Sequence, residues 1–402
     1  MIKYKLNEVP PLKESLLFSL QWLAIASSIL IIGGRIVAEI HYEDLFEITN
    51  YIQKVFFISG ATLLVQIFFG HRLPMIAGPS AVLIVCIHSL SGVGVEAIYT
   101  AIAVCGLILF LFSFIGFGFL RKIFTENVVA AVFLLVSFTL IPVILNLIEN
   151  LYDLIFSTFL AVFLFALSKK FKSNVILFGL FFGSLAHFTI FPREIFLDTK
   201  VYFQLKFVPA FHIEVILIFF LCYLALAVND LSSIYSTGEM LKADRIEARV
   251  KSGLSVTGLS NFFSGILGVV GTVNYALSPG MIGAMKCASR YVLAPAGIFL
   301  IFFSMFPHLI LLFGAIPSSV IVSVFLYLIC SQVAVVLSEV KINFDSGSVV
   351  VFPVVLALLL TILPEDVLNS LPEIFKLFLR NGFLIGILIS IFMEHIVKSQ
   401  KS

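Results

Sequence analysis

Charge is what this sequence has least of. Asp, Glu, Lys and Arg make up 12% of its 402 residues while 60% are hydrophobic, against about 25% charged and ~45–50% apolar in soluble domains. A soluble fold has no use for that much apolar surface, whereas helices in lipid need it on every side. The formal balance of +2 provides no basic field, so nucleic acid is not a partner. Cysteine is sparse and unpatterned. Cys86, Cys105, Cys222, Cys287 and Cys330 lack zinc or redox spacing, and each falls in or beside an apolar run where a free thiol is a small core residue. No H-E-x-x-H, G-x-S-x-G or Walker A pattern occurs, so the residues support no enzyme, cofactor or metal centre. Charge rings and repeated filter motifs of channels are also missing. The first apolar run, Ser15 to Ile32, is too long for the core of a cleavable signal peptide, and no small-residue cleavage site follows it.

What remains is a series of apolar runs long enough to cross a bilayer. In the first half they lie near 15–34, 49–69, 73–93, 97–120, 127–148, 154–168 and 173–191. In the second half they lie near 210–236, 253–270, 272–289, 291–314, 317–338, 347–363 and 377–397. The pattern predicts an all-α polytopic membrane protein with 14 transmembrane segments. An even count places both termini on one side. With the termini cytoplasmic, 18 of the 25 Lys and Arg residues fall on the cytoplasmic side, including Arg72, Arg121, Lys122, Lys169, Lys170, Lys242, Arg245 and Arg249. Arg35, Lys54, Arg193 and Lys200 are among the few opposite. This is the positive-inside bias of a multi-pass protein, expected in the cell inner membrane. The polar stretch from Pro192 to Lys206 leaves seven spans on either side. An odd number forces the second repeat (201–402) to run upside down relative to the first (1–200), a 7+7 inverted repeat of the carrier kind.

Carrier sites lie where hydrophobic segments at matching places in the two halves are broken by Gly and Pro. The third span reads Arg72-Leu-Pro-Met-Ile-Ala-Gly-Pro-Ser80, and its counterpart, the tenth, reads Gly271-Thr-Val-Asn-Tyr-Ala-Leu-Ser-Pro-Gly280. Pro74, Pro79 and Pro279 do not fit an unbroken helix, and Gly78 and Gly280 relax the chain. Short extended pieces leading into half-helices would set two helix N-termini near mid-bilayer, where free N–H groups attract carbonyl oxygens and anions. Asp230 is the one carboxylate deep in an apolar run, with Ser233 and Thr237 on the same helix face. A charge there costs about 2.5–3.5 kcal/mol on insertion scales, so it is expected to serve a substrate, a proton or a polar helix contact. Glu239 is read as an interfacial partner of Lys242, and His88, His187 and His308 as packed or interfacial residues. Gly179 with Gly183, and Gly265, Gly268 and Gly271, mark close helix packing.

At these positions the sequence resembles the xanthine/uracil permease family, the nucleobase–ascorbate transporters. Leu20-Gln21-Trp22 is similar to the family's Gln-His pair, with Trp22 in place of histidine. Leu73-Pro74 and Gly78-Pro79-Ser80 resemble its third-span motif, with Ala81 replacing phenylalanine. Asp230 stands where the family carries a substrate-binding glutamate, and Ile234 replaces the acidic or histidine residue one turn on. Gly253-Leu-Ser, Gly268, Ser278-Pro-Gly280, Ser289-Arg290 and Ile316-Pro317-Ser-Ser-Val320 follow the family's order. Leu277 and Ser278 occupy the place of a Gln or Glu followed by Asn. The resemblance implies a core bundle of spans 1–4 and 8–11, a gate bundle of spans 5–7 and 12–14, and a homodimer. It also implies alternating-access transport of a nucleobase such as uracil or xanthine, with a proton or sodium ion as coupling partner.

The expected site lies between Ser80, Asp230 and Ser278. Backbone N–H groups around Ala81 and Gly280 would hold substrate carbonyls, Leu277 would line the pocket, and Asp230 would take a ring N–H or the coupling ion. The alternatives are a small-anion carrier of the related sulfate-permease fold and a non-transporting scaffold or channel.

One prediction concerns Leu277. It offers no hydrogen bond, and an unpaired buried base N–H costs about 1–3 kcal/mol, roughly five- to 150-fold in affinity. Leu277→Glu is therefore expected to tighten uracil or xanthine binding measured by calorimetry. A tight wild type that the substitution leaves unchanged would remove this position from base recognition.

Overall fold

A computed structural model gives the architecture. It describes residues 2–115, 123, 125–171, 175–191, 207–275, 278–314, 316–339, 344–361, 363, 367, 379 and 381–401. The order begins α1 (Leu12–His41), α2 (Leu45–Phe68), β1 (Ala77–Pro79), α3 (Ala81–Ser89), α4 (Val95–Phe112), α5 (Glu126–Leu145), α6 (Leu151–Phe171) and α7 (Val175–Ile190). It continues with α8 (Ile213–Met240), α9 (Ile246–Leu267), β2 (Thr272–Asn274), α10 (Ser278–Met285), α11 (Leu293–Ser304), α12 (Pro307–Gly314), α13 (Ser318–Glu339), α14 (Phe344–Thr361) and α15 (Gly382–Lys401). The chain is predominantly helical, and α1, α2, α4, α6 and α8 are each long and apolar enough to cross a membrane.

The helices follow the apolar runs, with differences that have physical causes. α1 continues seven residues past the run, and in that extension Arg35 and Glu39, one turn apart and largely covered, pair with each other. α9 starts at Ile246, ahead of its apolar run, through a charged first turn. The run read as one span over 291–314 is divided: α11 ends at Ser304 and α12 begins at Pro307, which fits a first helical turn and not an interior. The two broken segments become strands. β1 and β2 pair antiparallel, Ala77 opposite Asn274, Gly78 opposite Val273 and Pro79 opposite Thr272, and α3 and α10 start immediately after them. Glu239 is exposed and, among the described residues, forms no ion pair with Lys242, against expectation. His88 is half-buried, His308 is exposed, and His187 packs on the rings of Phe156 and Phe191.

Around the crossing, α4 lies along α9, α2 along α11, and α1 and α8 pack beside them. Further out, α13 packs on α5, α6 and α7, and α14 on α5 and α15. Without a hydrophobic force between helices in lipid, van der Waals fit decides these pairs, and small residues let backbones touch. A Cβ on Gly258 would lie 2.4 Å from the Phe110 nitrogen, and one on Gly106 2.4 Å from the Phe262 nitrogen. On the other pair, a Cβ on Gly60 would lie 2.8 Å from the carbonyl oxygen of Gly297. Gly179 and Gly183 of α7 are pressed in the same way by Leu164 and Leu160 of α6.

The N-terminal segment closes one end. Lys3 N–H bonds the Lys286 carbonyl at 2.8 Å, Ala288 N–H bonds Tyr4 at 2.9 Å and Arg290 N–H bonds Leu6 at 3.1 Å, so residues 3–6 run as a parallel strap beside the chain leaving α10.

Gly258→Val is expected to force α4 and α9 apart, an overpacking cost of about 1–3 kcal/mol or more. Its melting temperature in detergent should fall well below that of Gly94→Ala, whose added Cβ meets nothing nearer than Glu96 Oε2 at 3.4 Å. Equal melting of the two variants would refute the backbone contact.

Candidate functional site

Asp230 lies in α8, fully buried at 0% exposure. A carboxylate survives there only with its oxygens occupied. Oδ1 accepts from the Asn274 backbone N–H at 3.0 Å and from Asn274 Nδ2 at 2.7 Å, while Oδ2 accepts from the Thr257 hydroxyl at 2.6 Å. All three donors are neutral, so α8 is tied by one side chain to the end of β2 and to the middle of α9.

The partners are themselves held. Gln66 of α2 donates through Nε2 to Thr257 Oγ1 at 3.1 Å and to the Gly253 carbonyl at 3.0 Å. Its other end accepts from the His71 backbone N–H at 3.3 Å. His71 Nδ1 accepts from Leu73 N–H at 2.9 Å, so the ring proton sits on Nε2, which donates to Asn274 Oδ1 at 3.2 Å. Asn274 thereby uses both ends of its amide. Arg249, in the first turn of α9, donates to the carbonyls of His71 and Arg72, each at 3.1 Å, and to Asp244 at 2.6 Å. That guanidinium holds the exposed Asp244 carboxyl below the usual carboxylate range. Further along α9, Asn261 donates to the carbonyls of Thr257 and Thr272 at 2.7 and 2.8 Å and accepts from Tyr223 at 2.9 Å.

The strand crossing positions the half-helices. Ser80 N–H bonds the Gly271 carbonyl at 2.9 Å, and Tyr275 N–H bonds that of Ile76 at 2.9 Å. The Ser278 hydroxyl donates to the Tyr275 carbonyl at 2.8 Å and accepts from Ile76 N–H at 3.3 Å. Tyr275 reaches across to the Pro79 carbonyl at 2.8 Å, and a Cβ on Gly78 would lie 2.8 Å from Leu30 Cδ2 and 2.9 Å from the Tyr275 hydroxyl, so a side chain there would have to displace both. α3 starts at Ala81 with Ser80 as N-cap, but the Ser80 side chain does not cap it. The hydroxyl is fully buried and, among the described residues, has no hydrogen-bond partner. The Trp22 indole N–H, on α1, is buried in the same condition.

Ser80, Ala81, Ser278 and Gly280 are thus brought to the crossing, at or beside the first turns of α3 and α10. Leu277 lies outside the described residues. Asp230 sits behind the crossing, bound to Asn274 and Thr257, and Ser233 and Thr237 turn their hydroxyls back to α8 carbonyls. Gln66, His71, Thr257, Asn261 and Asn274 were not singled out from sequence. A signal existed for Asn274, which lies inside the broken tenth segment, and for His71, adjacent to Arg72-Leu-Pro. The physical rule that a buried charge needs partners points to polar residues in those segments.

A largely helical bundle centred on two paired, broken segments defines the transmembrane domain of a carrier. Among solved structures, the transmembrane domain of a cyanobacterial bicarbonate transporter, BicA, superposes with a TM-score of 0.68 at 12% identity, covering 98% of this chain and 99% of that one. The chain belongs to the xanthine/uracil Permease family, whose model matches residues 13–368. A nucleobase transporter of Paenibacillus larvae is 25% identical over 83% of each chain. A xanthine permease of Bacillus subtilis is 23% identical over 85% of this chain and 84% of its own. The protein is a transporter and an integral membrane protein.

Asn274→Asp would set a second carboxylate against Asp230, so one of the two must stay protonated. The single variant is expected to lose about 3 kcal/mol, the scale of breaking a buried pair, seen as a large fall in melting temperature. Asp230→Asn combined with Asn274→Asp restores one acid and one amide and should recover most of that stability. Failure of the double variant to recover would show that the contact does not hold β2.

Proposed function

We propose that the protein is a secondary active transporter for a nucleobase of the uracil or xanthine type, bound at the starts of α3 and α10. The observation that carries this reading is the buried, unpartnered Ser80 hydroxyl at an uncapped helix N-terminus beside the strand crossing. Leaving such a group unpaired costs about 1–3 kcal/mol, which a substrate carbonyl repays. Ser80 and the N–H groups around Ala81 and Gly280 bind those carbonyls. The names of the sequence relatives, nucleobase and xanthine transporters, favour a base over an anion as cargo.

Asp230 is the coupling group in this reading. As a carboxylate it accepts from Asn274 and Thr257. Gaining a proton or giving an oxygen to sodium releases part of that hold on β2, and with it the start of α10.

The wider organisation proposed is 14 spans in two inverted repeats, 1–200 and 201–402. Spans 1–4 and 8–11 form a core and spans 5–7 and 12–14 a gate; the termini are cytoplasmic in an inner membrane, and two copies associate. Two features support the repeats. A shift of seven spans exchanges the α2–α11 pair with the α4–α9 pair, and both pairs cross at glycines. The same shift exchanges α6–α13 with α5–α14, which also pack. The orientation is supported by the grouping of Lys3, Arg72, Arg249 and Lys286 through the strap and the Arg249 contacts.

The test is counter-transport in proteoliposomes. Preloaded unlabelled uracil or xanthine is expected to accelerate saturable uptake of the labelled base, and Asp230→Asn to abolish it or to remove its dependence on a proton or sodium gradient while the protein still folds. Saturable bicarbonate or sulfate flux without base exchange would favour the anion reading. Normal coupled transport by Asp230→Asn from about pH 5 to 8 would make the residue structural only.

A further inference from the structure

We infer that the turn His71–Leu73, at the start of the first broken segment, fixes the direction of both lines of hydrogen bonds that end on Asp230, and that His71 and Gln66 are positioning residues setting how readily this carboxylate takes a proton. This role rests on the reading of Asp230 as the coupling group and adds to it what tunes that group.

Two lines of bonds reach Asp230, and each begins at a backbone N–H of the turn. In one, Leu73 N–H donates to His71 Nδ1 at 2.9 Å, His71 Nε2 donates to Asn274 Oδ1 at 3.2 Å, and Asn274 Nδ2 donates to Asp230 Oδ1 at 2.7 Å. In the other, His71 N–H donates to Gln66 Oε1 at 3.3 Å and Gln66 Nε2 donates to Thr257 Oγ1 at 3.1 Å. The Thr257 hydroxyl then donates to Asp230 Oδ2 at 2.6 Å. Gln66, His71, Asp230, Thr257 and Asn274 are all buried, at 1% exposure or less.

A backbone N–H can only donate, and that polarity propagates. An imidazole that accepts at Nδ1 carries its proton on Nε2, and a carboxamide that accepts at its oxygen presents NH2 at its other end. With His71 donating, Asn274 cannot turn its amide round, because its NH2 would meet the His71 N–H head-on. With Gln66 donating to Thr257 Oγ1, the hydroxyl proton is left for Asp230. Both lines therefore point their protons at the carboxylate, which accepts and cannot donate. A protonated Asp230 needs a partner that accepts. Asn274 can become one only by setting donor against donor at His71, and Thr257 only by losing the acceptor of its own proton.

The turn is held from the aqueous side. Arg249 donates to the carbonyls of His71 and Arg72, each at 3.1 Å, and the Arg72 carbonyl belongs to the peptide that carries Leu73 N–H. Arg72 itself has a left-handed backbone, φ 56°, and its N–H bonds the Gln66 carbonyl at 3.0 Å. Among the described residues no charged group is bonded to Asp230. On the elements packed against α8, Glu96 of α4, Glu126 of α5 and His395 of α15 are exposed, and Glu394 of α15 bonds Asn127. Glu247 of α9 bonds Tyr235, Lys251 lies over the Phe114 ring, and His88 stands at the far end of α3. The thiols of Cys86 and Cys105 gather at Cys222, about two turns along α8 from Asp230. Tyr223 and Tyr275 bond Asn261 and the Pro79 carbonyl.

Three substitutions separate direction from mere presence. His71→Asn keeps an acceptor for Leu73 N–H at the place of Nδ1 but is too short to reach Asn274. Gln66→Leu removes the second line. His71→Gln reaches as far as Nε2 and, with its oxygen on Leu73 N–H, still donates to Asn274. The readout is the infrared C=O band of a protonated carboxyl, assigned to Asp230 by its loss in Asp230→Asn and titrated on protein in lipid from about pH 4 to 9. His71→Asn is expected to raise the midpoint of this band by roughly one to two pH units, about ten- to 100-fold in proton affinity, the scale of one hydrogen bond to a charged group. Gln66→Leu should raise it as well, and His71→Gln should leave it in place. A purely structural role would lower the melting temperature without moving the midpoint. Wild-type midpoints in His71→Asn and Gln66→Leu, no Asp230 band in either at any pH, or a wild-type band that persists to the alkaline limit would overturn this role. Should neither variant fold, the wild type still decides. The nitrogen NMR signals of the His71 ring, assigned by their loss in His71→Gln, should report the Nε2–H tautomer on both sides of the Asp230 titration, and a changed tautomer or a charged ring would overturn the role. If the wild type exchanges no base, the proposed function fails while the titration still decides what His71 and Gln66 do.

Discussion

Two helices are interrupted in the buried middle of the bundle, where both strands are covered along their length, and the backbone groups freed by each interruption must find partners in the protein. They find one another. β1 and β2 pair over three residues, Ser80 N–H closes on Gly271 and Tyr275 N–H on Ile76. The Ser278 hydroxyl takes the Ile76 N–H that the ladder leaves over. Because each break satisfies the other, neither half of the chain can form its broken span alone, and the starts of α3 and α10 are set side by side. Gly78 lets Leu30 and the Tyr275 hydroxyl close on the crossing, since both would have to move for a side chain there.

Asp230 extends the same logic from backbone to side chain. Among the described residues it is bonded by three neutral donors and no cation, so the site avoids the second desolvation penalty that a buried ion pair would add. The cost of the single charge is met by fixing Asn274, whose amide is in turn oriented by a histidine with a defined tautomer. From there the bonds run through the His71 and Arg72 carbonyls to Arg249 and Asp244 at the surface. The middle of the bundle is thus connected to one aqueous face by a continuous set of hydrogen bonds, each with its donor and acceptor accounted for.

Much of this was legible in the sequence because lipid imposes a coarse rule: long apolar runs are helices, and Pro74, Pro79, Gly78 and Pro279 mark where two of them fail. Helix ends were less legible, because ends such as the charged first turn of α9 and the Arg35–Glu39 turn of α1 carry no apolar signal. The partners of Asp230 were not legible at all. Thr257 and Asn274 lie 27 and 44 residues away, and Gln66 meets Thr257 across 191. Hydropathy has no term for which polar residue meets which, and only the packing of α4 on α9 and α2 on α11 brings these elements within reach.

The distribution of polar contacts also bears on where the molecule can move. Gln53 with Ser304, Thr62 with Ser260, and Asn261 with Thr272 all lie within the proposed core. Gln332 with Phe133, Ser157 with Ser319, and Asn127 with Glu394 all lie within the proposed gate. Across the divide runs a weak contact from Asn381 to the Cys86 sulfur at 3.9 Å, beside an apolar crevice between Leu221 and Leu224 of α8 and Leu384 and Ile387 of α15. Sliding along apolar side chains exchanges one set of dispersion contacts for another, whereas breaking a buried hydrogen bond leaves groups that nothing in lipid can satisfy. Among the described residues, the proposed division thus runs mostly between apolar side chains, the kind of contact along which two rigid bodies can shift at low cost. The strand crossing is tied to α8 and α9 through Asp230, Thr257 and Asn261 and so belongs with the proposed core.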